Sequence, residues 1–98
     1  MPFVATTLRI SAGVIVWVLH FALIYGFTAL ACARGLPAVV PWVIGGATAI
    51  AGGACLALIA REWRRQGFEA WLALSLDATA LLAILWEALP VLMVPICR

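Results

Sequence analysis

Three ionisable side chains lie deep within long apolar stretches of this 98-residue chain. They are His20 in the first stretch and Asp77 and Glu87 in the third. Ionisable groups inside a bilayer are costly, so they are candidates for function. Histidine titrates near neutrality, and a histidine–carboxylate pair has the chemistry of a proton relay. With Tyr25 these residues form a candidate buried polar network. The simpler alternative is that His20 hydrogen-bonds a carboxylate or a backbone carbonyl and only ties helices together.

Metal and enzyme chemistry have less support in the sequence. Haem ligation by two histidines needs a second histidine, and the chain has one, so Met93 or a partner would have to complete the site. Copper handling through Cys32, Cys97 and Met93 lacks the spacing of a compact thiolate site. The sequence has no nucleophile–base set, glycine-rich phosphate loop or Cys-x-x-Cys pair. We therefore expect no resident cofactor, no metal and no enzymatic activity of the chain alone.

The composition places these polar residues in a membrane. Hydrophobic residues make up 67% of the chain and charged residues 10%, and the mean hydropathy is +1.20. Apolar stretches of about 20 residues with few charges are typical of transmembrane helices. We predict an all-α integral membrane protein, a single membrane domain over residues 1–98 with spans at about 7–31, 38–60 and 68–96. The net charge of +2 gives no support for nucleic-acid binding. We expect the apolar spans to be surrounded by lipid.

Residues near the ends of the spans predict where the helices begin and stop. The first apolar run is longer than a signal-peptide core of roughly 7–15 residues, so we expect a retained span. Thr6 or Thr7 is a candidate N-cap for it, and Gly35 is a candidate C-cap. Pro90 interrupts the third span, where it removes a backbone donor and favours a kink.

A dense charge cluster between spans two and three predicts the topology. The cluster is Arg61-Glu62-Trp63-Arg64-Arg65-Gln66-Gly67-Phe68-Glu69. Short loops rich in Lys and Arg remain on the cytoplasmic side, so Arg61, Arg64 and Arg65 set the orientation. We expect the N-terminus in the cytoplasm and the C-terminus in the periplasm, in a multi-pass protein of a bacterial inner membrane.

This topology brings Cys32 and Cys97 to the periplasmic side, where disulfides persist. A disulfide between them would join the outer ends of spans one and three. The alternative is two unpaired thiols. Cys55 lies deep in span two, where we expect a small packing residue.

The alignment of spans one and three decides which carboxylate meets His20. Both spans run in the same direction, and each residue advances a helix by about 1.5 Å. If the cytoplasmic ends are level, His20 lies nearest Asp77 and Tyr25 lies nearest Glu87. If the two cysteines are level, His20 lies within about 3–5 Å in depth of Glu87. A disulfide would select the second alignment.

Span two carries small residues on two faces. One four-spaced row, which we call the small-residue stripe, consists of Gly45, Ala49, Gly53 and Ala57. A second row consists of Ala47, Ala51 and Cys55. Small residues at this spacing let neighbouring backbones approach closely in lipid. Two such faces predict two neighbours, so we expect span two to lie between spans one and three, or between span one and a partner protein.

Part of the chain resembles a group of small membrane proteins. The likeness is carried by Arg9-Ile10…Gly13…Trp17…His20-Phe21…Ile24-Tyr25-Gly26…Ala29-Leu30…Cys32…Arg34 and by Trp86-Glu87-Ala88-Leu89-Pro90…Pro95…Cys97. These residues, in span one and the second half of span three, resemble small three-span proteins encoded beside haem–copper cytochrome c oxidases in proteobacteria. The resemblance implies an accessory or assembly subunit of a respiratory oxidase, without a redox centre of its own.

Two functions follow as expectations. The first is a non-catalytic accessory or assembly subunit of a larger respiratory complex, a haem–copper terminal oxidase, that docks through its transmembrane helices. The alternative is a small homo-oligomeric proton channel or transporter that uses His20, Asp77 and Glu87. Three spans cannot enclose a pathway alone, so this alternative requires self-association.

Overall fold

The computed structural model describes residues 2–93 and Cys97. Within these residues the chain forms three long helices: α1 (Pro2–Ala33), α2 (Val40–Trp63) and α3 (Phe68–Met93). One turn of 3₁₀ helix, Pro37–Val39, precedes α2. Each long helix is apolar enough to cross a membrane. The predicted all-helical architecture, with three helices long and apolar enough to span a membrane, is therefore confirmed.

The helix α1 begins earlier than the sequence predicted. It starts at Pro2, and the hydroxyl of Thr7 donates to the carbonyl oxygen of Phe3 at 2.8 Å inside the helix. Threonine often makes this bond to the carbonyl four residues back when it lies within a helix. Pro2 suits the first turn, because its missing N–H would have no partner there. Thr6 and Thr7 are therefore both helix residues, and neither is the N-cap.

The other boundaries follow from glycine and proline. Gly35 has φ of +68°, and the N–H of Leu36 bonds the carbonyl of Ala31 at 2.8 Å. This is the Schellman arrangement that closes a helix with a left-handed glycine. Pro90 lies inside α3, which continues to Met93. The predicted end of the third span falls on residues 94–96, outside the described residues.

The helices form a bundle in which α3 packs closely against both α1 and α2, while α1 and α2 touch less extensively. Span two therefore does not lie between spans one and three. The alternative, that it lies between span one and a partner protein, stays a prediction. Alanines on α3 explain its central place, since spacings of three, seven and eight residues put them on one face and let two neighbours approach. The buried alanines of α3 are Ala70, Ala73, Ala80 and Ala88.

The small residues of α2 serve two different surroundings. Ala51 and Cys55, from its second row, are buried in the bundle. With Ala80 and Ile84 of α3 they form a cluster that we call the apolar layer. All four residues of the small-residue stripe face outward and are exposed. The bundle thus uses one small face of α2 and leaves the other open.

Candidate functional site

The interior polar groups occur at two levels of the bundle, with Asp77 between them. One level, the arginine end, contains Arg9 of α1 and the residues at the end of α2. The other, towards the disulfide end, contains His20 and Glu87. The apolar layer lies between Asp77 and that second level, because Ala80 and Ile84 occur between positions 77 and 87 of α3.

His20 lies at the meeting point of all three helices. Its side chain is 1% exposed, and both ring nitrogens have a partner. Nε2 is 2.9 Å from Oγ1 of Thr48 on α2, and Nδ1 is 3.4 Å from Oε2 of Glu87 on α3. The indole N–H of Trp17 donates to the other carboxylate oxygen of Glu87 at 2.8 Å. We call these four residues the histidine cluster.

The alignment of α1 and α3 explains why His20 meets Glu87. The structure joins Cys32 and Cys97 in a disulfide with a Cα–Cα distance of 5.4 Å. The cysteines therefore lie level, which is the second of the two alignments considered from the sequence. Level cysteines put the backbones of His20 and Glu87 within about 3–5 Å in depth, a difference that a glutamate side chain can span.

Two members of the predicted network lie elsewhere. Tyr25 is 58% exposed, and its ring lies 4.5 Å from that of Phe21 on the outer surface of α1. Five residues separate Tyr25 from His20, which corresponds to a rotation of about 140° around the helix. The prediction of a buried Tyr25 is wrong for that reason. Asp77, the other member, makes no hydrogen bond with His20 or any other described residue through its carboxylate.

Asp77 faces the backbone of α1. It is fully buried. Its Cα and Cγ lie 2.9 and 3.2 Å from the position that a Cβ on Gly13 would occupy. The N–H of Gly13 belongs to the hydrogen-bond ladder of α1, so it already has an acceptor in its own helix.

The arginine end contains an ion-pair cluster that sequence reasoning missed. Nε of Arg9 donates to Oε1 of Glu62 at 2.9 Å, and the Glu62 side chain is fully buried. Arg61 and Glu69 flank the pair, with N–O distances of 3.7 Å from Arg61 to Glu62 and 4.0 Å from Arg9 to Glu69. The cluster ties the start of α1 to the end of α2 and the start of α3. Arg64 and Arg65, which we expected to set the topology, are exposed.

A spacing in the sequence could have identified the burial of Glu62. It follows Cys55 by seven residues, or about two helical turns, so both lie on one face of α2. Cys55 was expected to pack inside, and the same face therefore carries Glu62 into the bundle. The aligned position of Thr48, seven residues before Cys55, points to the partner of His20 in the same way.

The arrangement favours holding helices together over moving protons through them. The histidine cluster can pass a proton between His20 and Glu87. Asp77 is ten residues from Glu87 on α3, about 15 Å along the axis, and the apolar layer occupies that interval. A groove of about 300 Å³ between α1 and α2 reaches His20, and its walls are apolar side chains such as Val16 and Ile50.

Comparison with known proteins adds no family to these observations. The sequence matches no family model, no curated protein and no solved structure.

Proposed function

We propose that this chain is a non-catalytic accessory or assembly subunit of a larger membrane complex and docks through the outer face of α2. The observation that carries the proposal is the exposure of the entire small-residue stripe. Small residues in a transmembrane helix let another backbone approach closely and gain dispersion contacts. The bundle itself does not use this face.

The surface beside the stripe fits a helix. A groove of about 520 Å³ runs between α2 and α3. Its α2 wall includes Gly45, Ala49 and Gly53, and its α3 wall includes Leu81 and Leu85. A low wall of small residues beside a ridge of leucines can receive the side chains of a transmembrane helix from a partner.

The interior polar groups support a structural role. Each ring nitrogen of His20 is engaged, and Arg9 is committed to Glu62. Buried polar groups that contact one another across helices rigidify a packing arrangement and specify its alignment. A rigid bundle is suited to present a fixed docking face.

The partner and the orientation form part of the same proposal. The resemblance to proteins encoded beside oxidases favours a respiratory complex, a haem–copper terminal oxidase, in a bacterial inner membrane. Arg9, Arg61, Arg64 and Arg65 gather at one end, which supports a cytoplasmic N-terminus. The disulfide at the other end supports a periplasmic C-terminus, because disulfides persist there.

Affinity purification from native membranes tests the docking face. The tagged chain should retain a larger membrane complex, identified by mass spectrometry and by its haem spectrum. Gly53→Ile should abolish retention, because a bulky side chain would prevent a partner helix from approaching closely. The bundle itself should be undisturbed, since Gly53 faces open space. Ala22→Ile, on an exposed position of α1 that does not line the groove, is the matched control and should retain the complex.

Two results would contradict the proposal. One is recovery of the wild-type chain without any larger membrane complex. The other is equal retention by Gly53→Ile and Ala22→Ile. Recovery of a complex without haem would replace the oxidase as partner and keep the accessory role.

The homo-oligomeric proton channel has less support. It would need a pathway past the apolar layer, which separates Asp77 from the histidine cluster. Proton flux into liposomes that contain only this chain, abolished by Glu87→Gln, would favour it over the accessory role.

A further inference from the structure

The carboxyl group of Asp77 has the least satisfied environment of the described interior. It is fully enclosed, and neither Oδ1 nor Oδ2 has a hydrogen-bond partner among the described residues. Nearly all buried polar groups in proteins are hydrogen-bonded, so an exception calls for a physical explanation. The carboxyl group lies against Gly13 of α1, whose N–H is used within its own helix.

The neighbouring charges do not neutralise it. On α2, Arg61, Glu62 and Cys55 lie near enough to interact electrostatically with Asp77. Arg61 and Arg9 are both directed to Oε1 of Glu62. The other oxygen of Glu62, Oε2, is itself buried without a partner in the described part of the chain. The cations are thus directed to a second carboxylate, and none of the described residues forms an ion pair with Asp77.

A carboxylate in this position would be a bare charge inside a membrane-spanning bundle. Such a charge is so unfavourable in a dry interior that the group takes up a proton instead. We propose that Asp77 is a proton-binding site, a carboxylic acid that keeps its proton at neutral pH.

The site is separate from the histidine cluster, since the apolar layer lies between them. The inference goes beyond the proposed docking function and does not depend on any partner. Its structural consequence concerns α1 and α3, which contact each other at Gly13 and Asp77. A bound proton keeps charge out of that contact, and its loss would disfavour the close packing of the two helices.

A single isotope label tests the proposal without any substitution. Asp77 is the only aspartate in the chain, so incorporation of aspartate carrying ¹³C at the side-chain carboxyl labels one group. The full chain, with its disulfide intact, is reconstituted in lipid bilayers. Infrared absorption and solid-state NMR then distinguish the labelled carboxylic acid from a carboxylate. We expect the acid signal at neutral pH and an isotope-dependent shift of its carbonyl band in D₂O.

Two variants test whether the labelled carboxyl signal comes from Asp77. Asp77→Asn, prepared with the same labelled aspartate, should lose it, and Glu69→Gln at an exposed position should keep it. A labelled carboxylate at neutral pH in the wild-type chain would overturn the proposal. A carboxylate whose signal shifts when sodium is replaced by a bulky organic cation would assign the site to a metal cation and would also overturn it.

Discussion

Gly13 of α1 lies directly against Asp77 of α3, so closely that a Cβ on residue 13 would fall 2.9 Å from the Asp77 Cα. Side chains essentially never approach a backbone atom to this distance. The carboxylate of Asp77 also occupies the space that such a Cβ would need. A residue without a side chain is therefore required where these two helices cross.

Gly13→Ala should destabilise the bundle by about 1–3 kcal/mol, the usual cost of inserting a methyl group into a packed interior. The methyl group would have to move the Asp77 backbone, which is rigid within a helix. Unfolding by denaturing detergent, followed by circular dichroism, measures the change in the free energy of unfolding.

Gly26→Ala is the matched control for that experiment. It lies in the same helix, and no described atom is within 4 Å of its corresponding Cβ position. Alanine has the higher helix propensity, so this change should be neutral or slightly stabilising. An equal loss of stability in both variants would contradict the close approach at Gly13.

Arg9→Gln should lower stability by about 3–5 kcal/mol, because it leaves the buried carboxylate of Glu62 without its main partner. Combining it with Glu62→Gln should restore much of the loss, since the buried charge is then removed too. A double-mutant cycle on these two residues gives their coupling. Arg64→Gln, at an exposed position, should change stability by no more than about 0.5 kcal/mol.

Thr48→Val should cost about 1–3 kcal/mol, because it removes the hydroxyl that pairs with Nε2 of His20 and leaves a buried polar nitrogen unsatisfied. Thr79→Val is the control. The Thr79 hydroxyl donates to the carbonyl of Ser75 at an exposed site, and its loss should have little effect. Equal changes in the free energy of unfolding would contradict a structural role for the Thr48 contact.

Reduction of the Cys32–Cys97 disulfide should lower stability by about 2–5 kcal/mol. It closes a loop with a sequence separation of 65, and a crosslink over such a loop restricts the unfolded chain. In spheroplasts, a membrane-impermeant reductant should expose both thiols to alkylation, as expected for a periplasmic location. Alkylation only after the membrane is permeabilised would place the disulfide end in the cytoplasm.

Some features of this protein follow from its sequence alone. The apolar runs determine the number of helices long enough to span a membrane, because length and hydropathy suffice for that conclusion. Gly35 ends α1 because a left-handed residue there favours glycine. The coupling between the cysteine alignment and the depth of His20 relative to Glu87 follows from the constant rise of a helix.

Only the tertiary structure decided which way each side chain points around its helix. An amphipathic stripe reveals the inner face of a helix in a soluble protein, but these helices are apolar on every side. The sequence therefore did not show that Tyr25 faces outward or that Asp77 is sealed against Gly13. The spacing of Glu62 from Cys55 indicates the inner face, but only the structure shows that Glu62 meets Arg9 there. Depth in the membrane depends on counting residues along one helix, whereas rotation about the axis depends on how three helices pack together.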